Sequence, residues 1–111
     1  MMNSLFCDLP RRKSKEMVPG VSIRTFWGKE MLISFADFKP QAVVPEHQHP
    51  EEQVGVIIYG EIELRIGGES RWLKPGDSYI IPSQVTHSAR AGDATARAMD
   101  VFSPVRKDYQ Y

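Results

Sequence analysis

The chain has 111 residues, with 14 basic and 14 acidic side chains and a formal net charge of zero at neutral pH. This length fits one domain built around one hydrophobic core. The balanced charge argues against a nucleic-acid partner, because binding to a phosphate backbone needs a strongly basic surface. The short basic run at residues 11–15 has no interleaved aromatic residues, and we interpret it as a solvated tail.

Cysteine usage and hydropathy indicate the compartment. Cys7 is the only cysteine, so an intrachain disulfide is impossible, which fits a reducing environment. The N-terminus lacks the apolar run of a signal peptide, and no stretch approaches the roughly 20 apolar residues that span a bilayer. We therefore expect a cytoplasmic protein without a membrane partner.

The chain divides into a lead-in and a β-rich remainder. Residues 1–20 mix proline, glycine and charge without a period, which predicts an irregular lead-in, and residues 21–111 are predicted to form a single domain. The clearest strand is Ile62–Ile66, where apolar and charged residues alternate with period two. The pair Gly67-Gly68 then predicts a tight hairpin. The predicted strands are, in chain order, Val21–Phe26, Met31–Phe38, a segment from Ala42 into the histidines, Val54–Tyr59, Ile62–Ile66, Ser70–Leu73, Ser78–Ile81, His87–Ala91 and Ala96–Phe102.

No segment of ten or more residues carries a helical period. Many short strands separated by turn signals at intervals of 8 to 12 residues are typical of a β-sandwich or β-barrel. A jelly roll is one such architecture, and it limits exposed edges by folding two sheets together. The pattern therefore predicts an all-β domain.

The three histidines give the strongest functional signal. His47 and His49 are two residues apart, so both side chains leave the same face of an extended strand. Gln53 follows after a short link, and His87 begins a later strand. Neutral imidazoles are favoured ligands of zinc, iron, nickel and copper, and an amide oxygen can complete the coordination shell. Taken alone, the His47/His49 pair is also compatible with ordinary surface or capping histidines.

Two longer segments extend this signal to a family. Residues 47–60 resemble the first cupin motif, with a histidine pair, a ligand four residues later and a closing glycine. Residues 76–87 resemble the second motif, with Gly76, Pro82 and His87 in place. The resemblance covers about residues 21–109. It implies a cupin jelly-roll β-barrel (a double-stranded β-helix) with one divalent transition metal ion (Zn, Ni, Fe or Mn). The implied metal ligands are His47, His49, Gln53 and His87.

The chain departs from the cupin motifs at two positions. Gln84 replaces a glycine that usually follows the proline of the second motif, so that turn is expected to differ slightly. Gln53 replaces the usual glutamate, and an uncharged amide leaves the ion a stronger Lewis acid that lowers the pKa of a bound water further. Glu52 is the alternative ligand, but its parity relative to His47 and His49 is wrong.

The last predicted strand offers a candidate acid or base. Asp100 and Phe102 share one face with Ala98, while Met99 and Val101 share the other. An inward aspartate is costly unless it is paired or acts in proton transfer. The alternative is that Asp100 faces solvent and Val101 faces the core.

Residues 100–109, together with the first motif, are similar to the small cupins of pectin and uronate breakdown. That group converts 4,5-unsaturated uronate monosaccharides into the linear keto form. The resemblance implies a metal-dependent isomerase with a small-molecule substrate and an active site containing Asp100, Phe102 and Arg106. It also implies a homodimer, for which exposed β edges give a physical reason.

Three alternatives stay open at this point. The same metal ligands occur in polyketide cyclase-like cupins, and a dioxygenase acting on an aromatic substrate or a non-catalytic sugar-binding cupin would also fit.

Tyr59, Trp72 and Tyr79 are assigned to packing or to contacts between copies.

Overall fold

The computed structural model describes residues 5–111. This part of the chain contains ten β-strands and two short 3₁₀ turns, at Leu9–Arg11 and Lys107–Tyr109. The strands are β1 (Lys15–Val18), β2 (Val21–Trp27), β3 (Leu32–Phe38), β4 (Val43–His47), β5 (Glu52–Tyr59), β6 (Ile62–Ile66), β7 (Glu69–Leu73), β8 (Ser78–Ile81), β9 (His87–Ala91) and β10 (Ala96–Ser103). Within the described residues, no helix is long and apolar enough to cross a membrane.

The strands form two antiparallel sheets. One has six strands in the order β1-β2-β3-β10-β5-β8, and the other has four in the order β4-β9-β6-β7. The buried core joins side chains of both sheets, for example Ile23 and Ile57 from the first and Ile62 and Ala91 from the second. The predicted all-β jelly-roll fold is therefore confirmed.

Period-two alternation determines which side chains enter the core. In β10, Ala96, Ala98, Asp100 and Phe102 are all buried, and the residues between them are only partly covered. β2 and β3 follow the same rule along most of their length. Because successive side chains of a strand leave opposite faces, one face of the six-stranded sheet supplies the core and part of the functional site.

The N-terminal segment differs from the irregular lead-in that the sequence predicts. Residues 15–18 form β1, which pairs with β2 so that Lys15 lies opposite Ile23. The turn between the two strands depends on Gly20, whose φ of +84° is readily accessible to glycine. Residues 1–4 lie outside the described part of the chain, and the domain boundary at residue 21 stays a prediction.

Gly60 gives a test of the turn between β5 and β6. Its φ is +75°, and an added Cβ would lie within 3.0 Å of the Thr95 carbonyl oxygen and the Ala96 Cα. We expect Gly60→Ala to lower the free energy of unfolding in urea by at least about 1–2 kcal/mol, the cost of a left-handed backbone at a residue with a Cβ. Gly68→Ala is the matched control, because a Cβ there meets nothing within 4 Å. Equal effects of the two substitutions would contradict this account.

Candidate active site

The three histidines meet between the two sheets. β4 and β9 pair so that His47 lies directly opposite His87, and His49 follows two residues after His47. The ring centroids are 4.1 Å apart for His47 and His87, 4.9 Å for His49 and His87, and 5.8 Å for His47 and His49. One ring nitrogen from each residue lies within 4.8 Å of the others. The cluster can therefore hold a metal ion.

Backbone hydrogen bonds fix the orientation of all three rings. Each Nδ1 lies 2.8 or 2.9 Å from a backbone carbonyl oxygen two residues away in the sequence. A carbonyl oxygen only accepts hydrogen bonds, so Nδ1 carries the proton and donates it. The neutral ring then presents the Nε2 lone pair, which is how outer hydrogen bonds normally orient metal-binding histidines.

The polar atoms around the cluster fit a cation. Among the described residues, the buried Nε2 of His87 has no hydrogen-bond partner, and burying such an atom unpaired is unfavourable. The Nε2 of His49 lies 3.1 Å from the Oε1 of Gln53. The Gln53 amide nitrogen donates to Asp100 at 3.0 Å, which turns Oε1 towards the histidines. An ion bound by these atoms would satisfy both the free nitrogen and the amide oxygen.

Burial keeps the imidazoles in the form that binds metals. It lowers the pKa of His87 from 6.5 to about 4. The pKa of His49 is also lowered, first by burial and then by the positive charge of Arg106. Both rings are therefore neutral at pH 7, and neutral imidazole is the metal-binding species.

Asp100 faces the interior, with 6% of its surface exposed. The alternative that it faces solvent is therefore wrong. Its Oδ1 accepts one hydrogen bond from the Tyr79 hydroxyl at 2.5 Å and another from the Gln53 amide at 3.0 Å. Burial raises the pKa of Asp100 above its usual value. The side chain is thus a buried carboxyl group held next to the histidine cluster, and its catalytic role stays a prediction.

Gly55 makes the contact between Asp100 and Tyr79 possible. The three residues form one row across the sheet, because Gly55 of β5 lies opposite Asp100 of β10 on one side and Tyr79 of β8 on the other. A Cβ on Gly55 would overlap both the Asp100 Oδ1 and the Tyr79 hydroxyl. A glycine inside a strand often marks such a close approach.

The expected packing role of Tyr79 is confirmed, since it lies against the hydrophobic core, but the sequence does not predict its hydrogen bond to Asp100. It shares a strand face with the buried Ile81, two residues later. That parity, combined with a glycine in the middle of a neighbouring strand, was the available signal. Neither indicates which residues lie opposite each other, so the contact depends on strand register.

Arg106 and Phe102 also line the space beside the cluster. Phe102 is 2% exposed and meets His49 edge to face, with ring centroids 5.5 Å apart. The Arg106 guanidinium carbon lies 3.9 Å from the Tyr109 ring centroid and 5.3 Å from that of Phe102. The Arg106 Nε donates to Asp108 at 3.1 Å. Aromatic stacking and this ion pair together fix the plane of the guanidinium group.

One cavity of about 290 Å³ connects these groups. Six of the seven predicted site residues line it, and His49 is the one that does not. Tyr79 and Tyr109 also line the cavity. The residues predicted from the sequence are thus brought together around one space.

The turn between β8 and β9 contacts the backbone of His49. Gln84 has a φ of +65°, the left-handed conformation that the usual glycine adopts without strain. Its backbone N–H donates to the His49 carbonyl at 2.8 Å. The turn therefore keeps a left-handed residue although the glycine is absent.

Glu52, the alternative ligand, is exposed on the face of β5 opposite to that of Gln53.

Comparison with known proteins defines the class. The Cupin_2 family, described as a cupin domain, matches residues 34–102, and the chain belongs to this family. It is 29% identical over 84 residues to the pectin degradation protein KdgF of Dickeya dadantii (strain 3937), covering 75% of this chain and 76% of that protein. The structure of KdgF from Halomonas sp. superimposes with a TM-score of 0.86 at 28% identity, over 96% of this chain and 98% of that one.

A second relative is an isomerase by name. The chain is 37% identical over 62 residues to the H2HPP isomerase of Bacillus subtilis, covering 55% of this chain. It spans 25% of that protein's length. The relatives therefore include a protein of similar size and a considerably longer one.

Metal binding can be tested by titrating the chelator-treated protein with Zn²⁺ or Ni²⁺ in a calorimeter. We expect one ion per chain. His87→Ala should weaken binding by more than about 10-fold, since loss of even an outer hydrogen-bond partner costs metal sites roughly 10- to 100-fold. Gln53→Ala should also weaken binding. Gln48 is an exposed amide between His47 and His49, and Gln48→Ala should leave the affinity unchanged. Unchanged affinity in His87→Ala would contradict the assignment.

The stability of the metal-free protein should depend on pH through His87. The unfolded chain protonates this residue near pH 6.5, whereas the folded chain does so only near pH 4. As the pH falls from 6.5 to 4, the unfolded state therefore binds the proton first and the free energy of unfolding decreases. Urea denaturation at several pH values should show a smaller decrease in His87→Gln. Parallel pH dependence in the two proteins would contradict the lowered pKa.

Proposed function

We propose that this protein is a metal-dependent isomerase that converts 4,5-unsaturated uronate sugars into their linear keto form. The observation that carries the proposal is the placement of Asp100, Arg106 and two of the three clustered histidines, His47 and His87, around one cavity. The likeness to two proteins named KdgF, one of them named for pectin degradation, supports the substrate class. The likeness to a protein named H2HPP isomerase supports the reaction class.

Arg106 would bind the uronate carboxylate. A guanidinium group pairs with a planar carboxylate through two parallel hydrogen bonds. Because Nε already donates to Asp108, the two terminal nitrogens are the pair available to the substrate. The Tyr109 ring stacked on the guanidinium carbon holds this edge in place. Arg106 would therefore determine the orientation of the sugar in the cavity.

Asp100 would exchange the proton. Its Oδ1 is occupied by Tyr79 and Gln53, so Oδ2 would be the oxygen left to exchange a proton with the substrate. A carboxyl group with a raised pKa holds a proton closer to neutral pH than an exposed one, which suits a general acid/base. The Tyr79 hydroxyl donates to the carboxylate form and stabilises it after the proton leaves.

The remaining ligands would complete the site. His47, His49, Gln53 and His87 would hold one divalent transition metal ion, either Zn, Ni, Fe or Mn. When bound, such an ion polarises a substrate oxygen and stabilises negative charge that develops on it. Phe102 would form an apolar wall beside the sugar ring.

The proposal includes a homodimer in the cytoplasm. The outer face of the six-stranded sheet carries several exposed apolar side chains, among them Val54 at 41%, Ile58 at 45% and Ile80 at 63% exposure. A second copy of the chain would cover such a face, since apolar surface of this kind favours association.

The reaction can be followed by NMR with purified protein and unsaturated galacturonate. We expect ketonisation faster than in buffer, and a rate lower by roughly 10²–10⁴-fold in Asp100→Asn, the usual range for loss of a general acid/base. Asp100→Asn should keep its metal content. Asp93→Asn, an exposed aspartate in a turn, is the matched control and should retain the wild-type rate. No acceleration by the wild-type protein would exclude this substrate, and full turnover by Asp100→Asn would exclude Asp100.

A further inference from the structure

The cavity changes character along the strands that line it. At the level of Asp100, β10 lies opposite Ser34 of β3 and Gly55 of β5. Two residues earlier in β10, Ala98 lies opposite Ala36 and Ile57. The six-stranded sheet is therefore polar at the level of Asp100 and apolar one step away.

The four-stranded sheet shows the same change. His87 of β9 belongs to the metal cluster, and two residues later Ala89 lies opposite Leu64 of β6 and Val44 of β4. All three of these apolar residues line the cavity. In both sheets the lining thus changes from polar to apolar within two residues along one strand.

Small side chains from both sheets create space in the apolar region. Ala36, Ala89 and Ala98 line the cavity, and none of them carries an atom beyond Cβ. Ile57 and Leu64 form further walls. Hydroxyl groups of a sugar placed here would lack hydrogen-bond partners on these walls, and burying unpaired polar groups is unfavourable. The region suits an apolar ring or chain instead.

The part of the cavity lining that comes from edge strands is also largely apolar. Met17 and Val18 come from β1, at one edge of the six-stranded sheet, and Val44 and Pro45 come from β4, at one edge of the four-stranded sheet. Met17, Val18 and Val44 are partly buried against the core. An apolar ligand would therefore meet matching surface on these strands as well.

We propose that the cavity contains an apolar subsite, lined by Ala36, Ala89, Ala98, Ile57 and Leu64, that binds the body of small aryl- or cycloalkyl-substituted carboxylic acids. The carboxylate of such a ligand pairs with Arg106, at the polar end of the same cavity. This goes beyond the proposed uronate reaction and shares with it only the Arg106 anchor. With the carboxylate at Arg106, a uronate would have hydroxyl groups at the positions where these acids have only carbon and hydrogen.

Binding of 3-phenylpropionate to the purified protein, measured by calorimetry and by ligand-observed NMR, tests the subsite. Acetate has the carboxylate without the apolar body, 3-phenylpropanol has the body without the charge, and glucuronate has a hydroxylated body. We expect 3-phenylpropionate to bind at least about 10-fold more tightly than each of the three, because a buried ring removes considerable apolar surface from water. Affinity for glucuronate equal to or higher than that for 3-phenylpropionate would overturn the proposal.

Variants locate the bound ligand. Ala98→Leu fills the subsite from the six-stranded sheet and should weaken 3-phenylpropionate binding at least about 10-fold while leaving acetate binding unchanged. Ala89→Val fills it from the other sheet and serves if Ala98→Leu fails to fold. Ala94→Leu, at an exposed turn position, should bind like the wild type. Arg106→Gln should weaken the binding of both 3-phenylpropionate and acetate. Binding that is insensitive to the cavity-filling variants would overturn the proposal.

The outcomes separate this subsite from the uronate reaction. Binding of 3-phenylpropionate in the cavity without turnover of unsaturated galacturonate would support the subsite and exclude the uronate. Turnover of unsaturated galacturonate that 3-phenylpropionate does not inhibit would support the uronate and exclude the subsite.

Discussion

The convergence of three imidazole rings inside an apolar sandwich is the constraint on which the rest of the site depends. Each ring donates a hydrogen bond from its Nδ1–H to a backbone carbonyl oxygen, so each presents its Nε2 lone pair to the same small volume. This arrangement needs β4 and β9 in the one register that sets His47 opposite His87. It also needs neutral rings, and burial supplies that condition by lowering the pKa of His49 and His87.

Gln53 connects this cluster to the acid beside it. Its amide oxygen faces His49 and its amide nitrogen donates to Asp100, so one side chain serves two neighbours of opposite chemistry. A glutamate in its place would set a second carboxylate against Asp100, and two like charges at this distance repel each other. The neutral amide therefore allows a buried carboxylate to lie next to the histidine cluster. Tyr79 and the space above Gly55 complete the arrangement.

Sequence patterns predicted the strands and most of the site, because alternation and motif spacing act locally. β10 is the clearest case, since its period-two pattern places Ala98, Asp100 and Phe102 on one buried face. The sequence does not predict β1, because it is an edge strand of four residues without strict alternation and its pairing depends on a turn at Gly20. The contact of Tyr79 with Asp100 and the apolar part of the cavity are not predicted for a different reason. Both arise from residues distant in sequence that strand register brings together, and register is a property of the whole sheet.

The positions of the cavity residues along the chain have a consequence for how such a protein changes its substrate. The three histidines, Gln53 and Asp100 all lie within residues 34–102, the segment that matches the family. Arg106 and Tyr109 come after that segment, and Met17 and Val18 come before it. The central segment thus supplies the histidines, Asp100 and most of the apolar walls, and the two flanks supply the guanidinium group and further apolar lining. A change confined to a flank would therefore alter the charged anchor of the cavity without touching the histidines or Asp100.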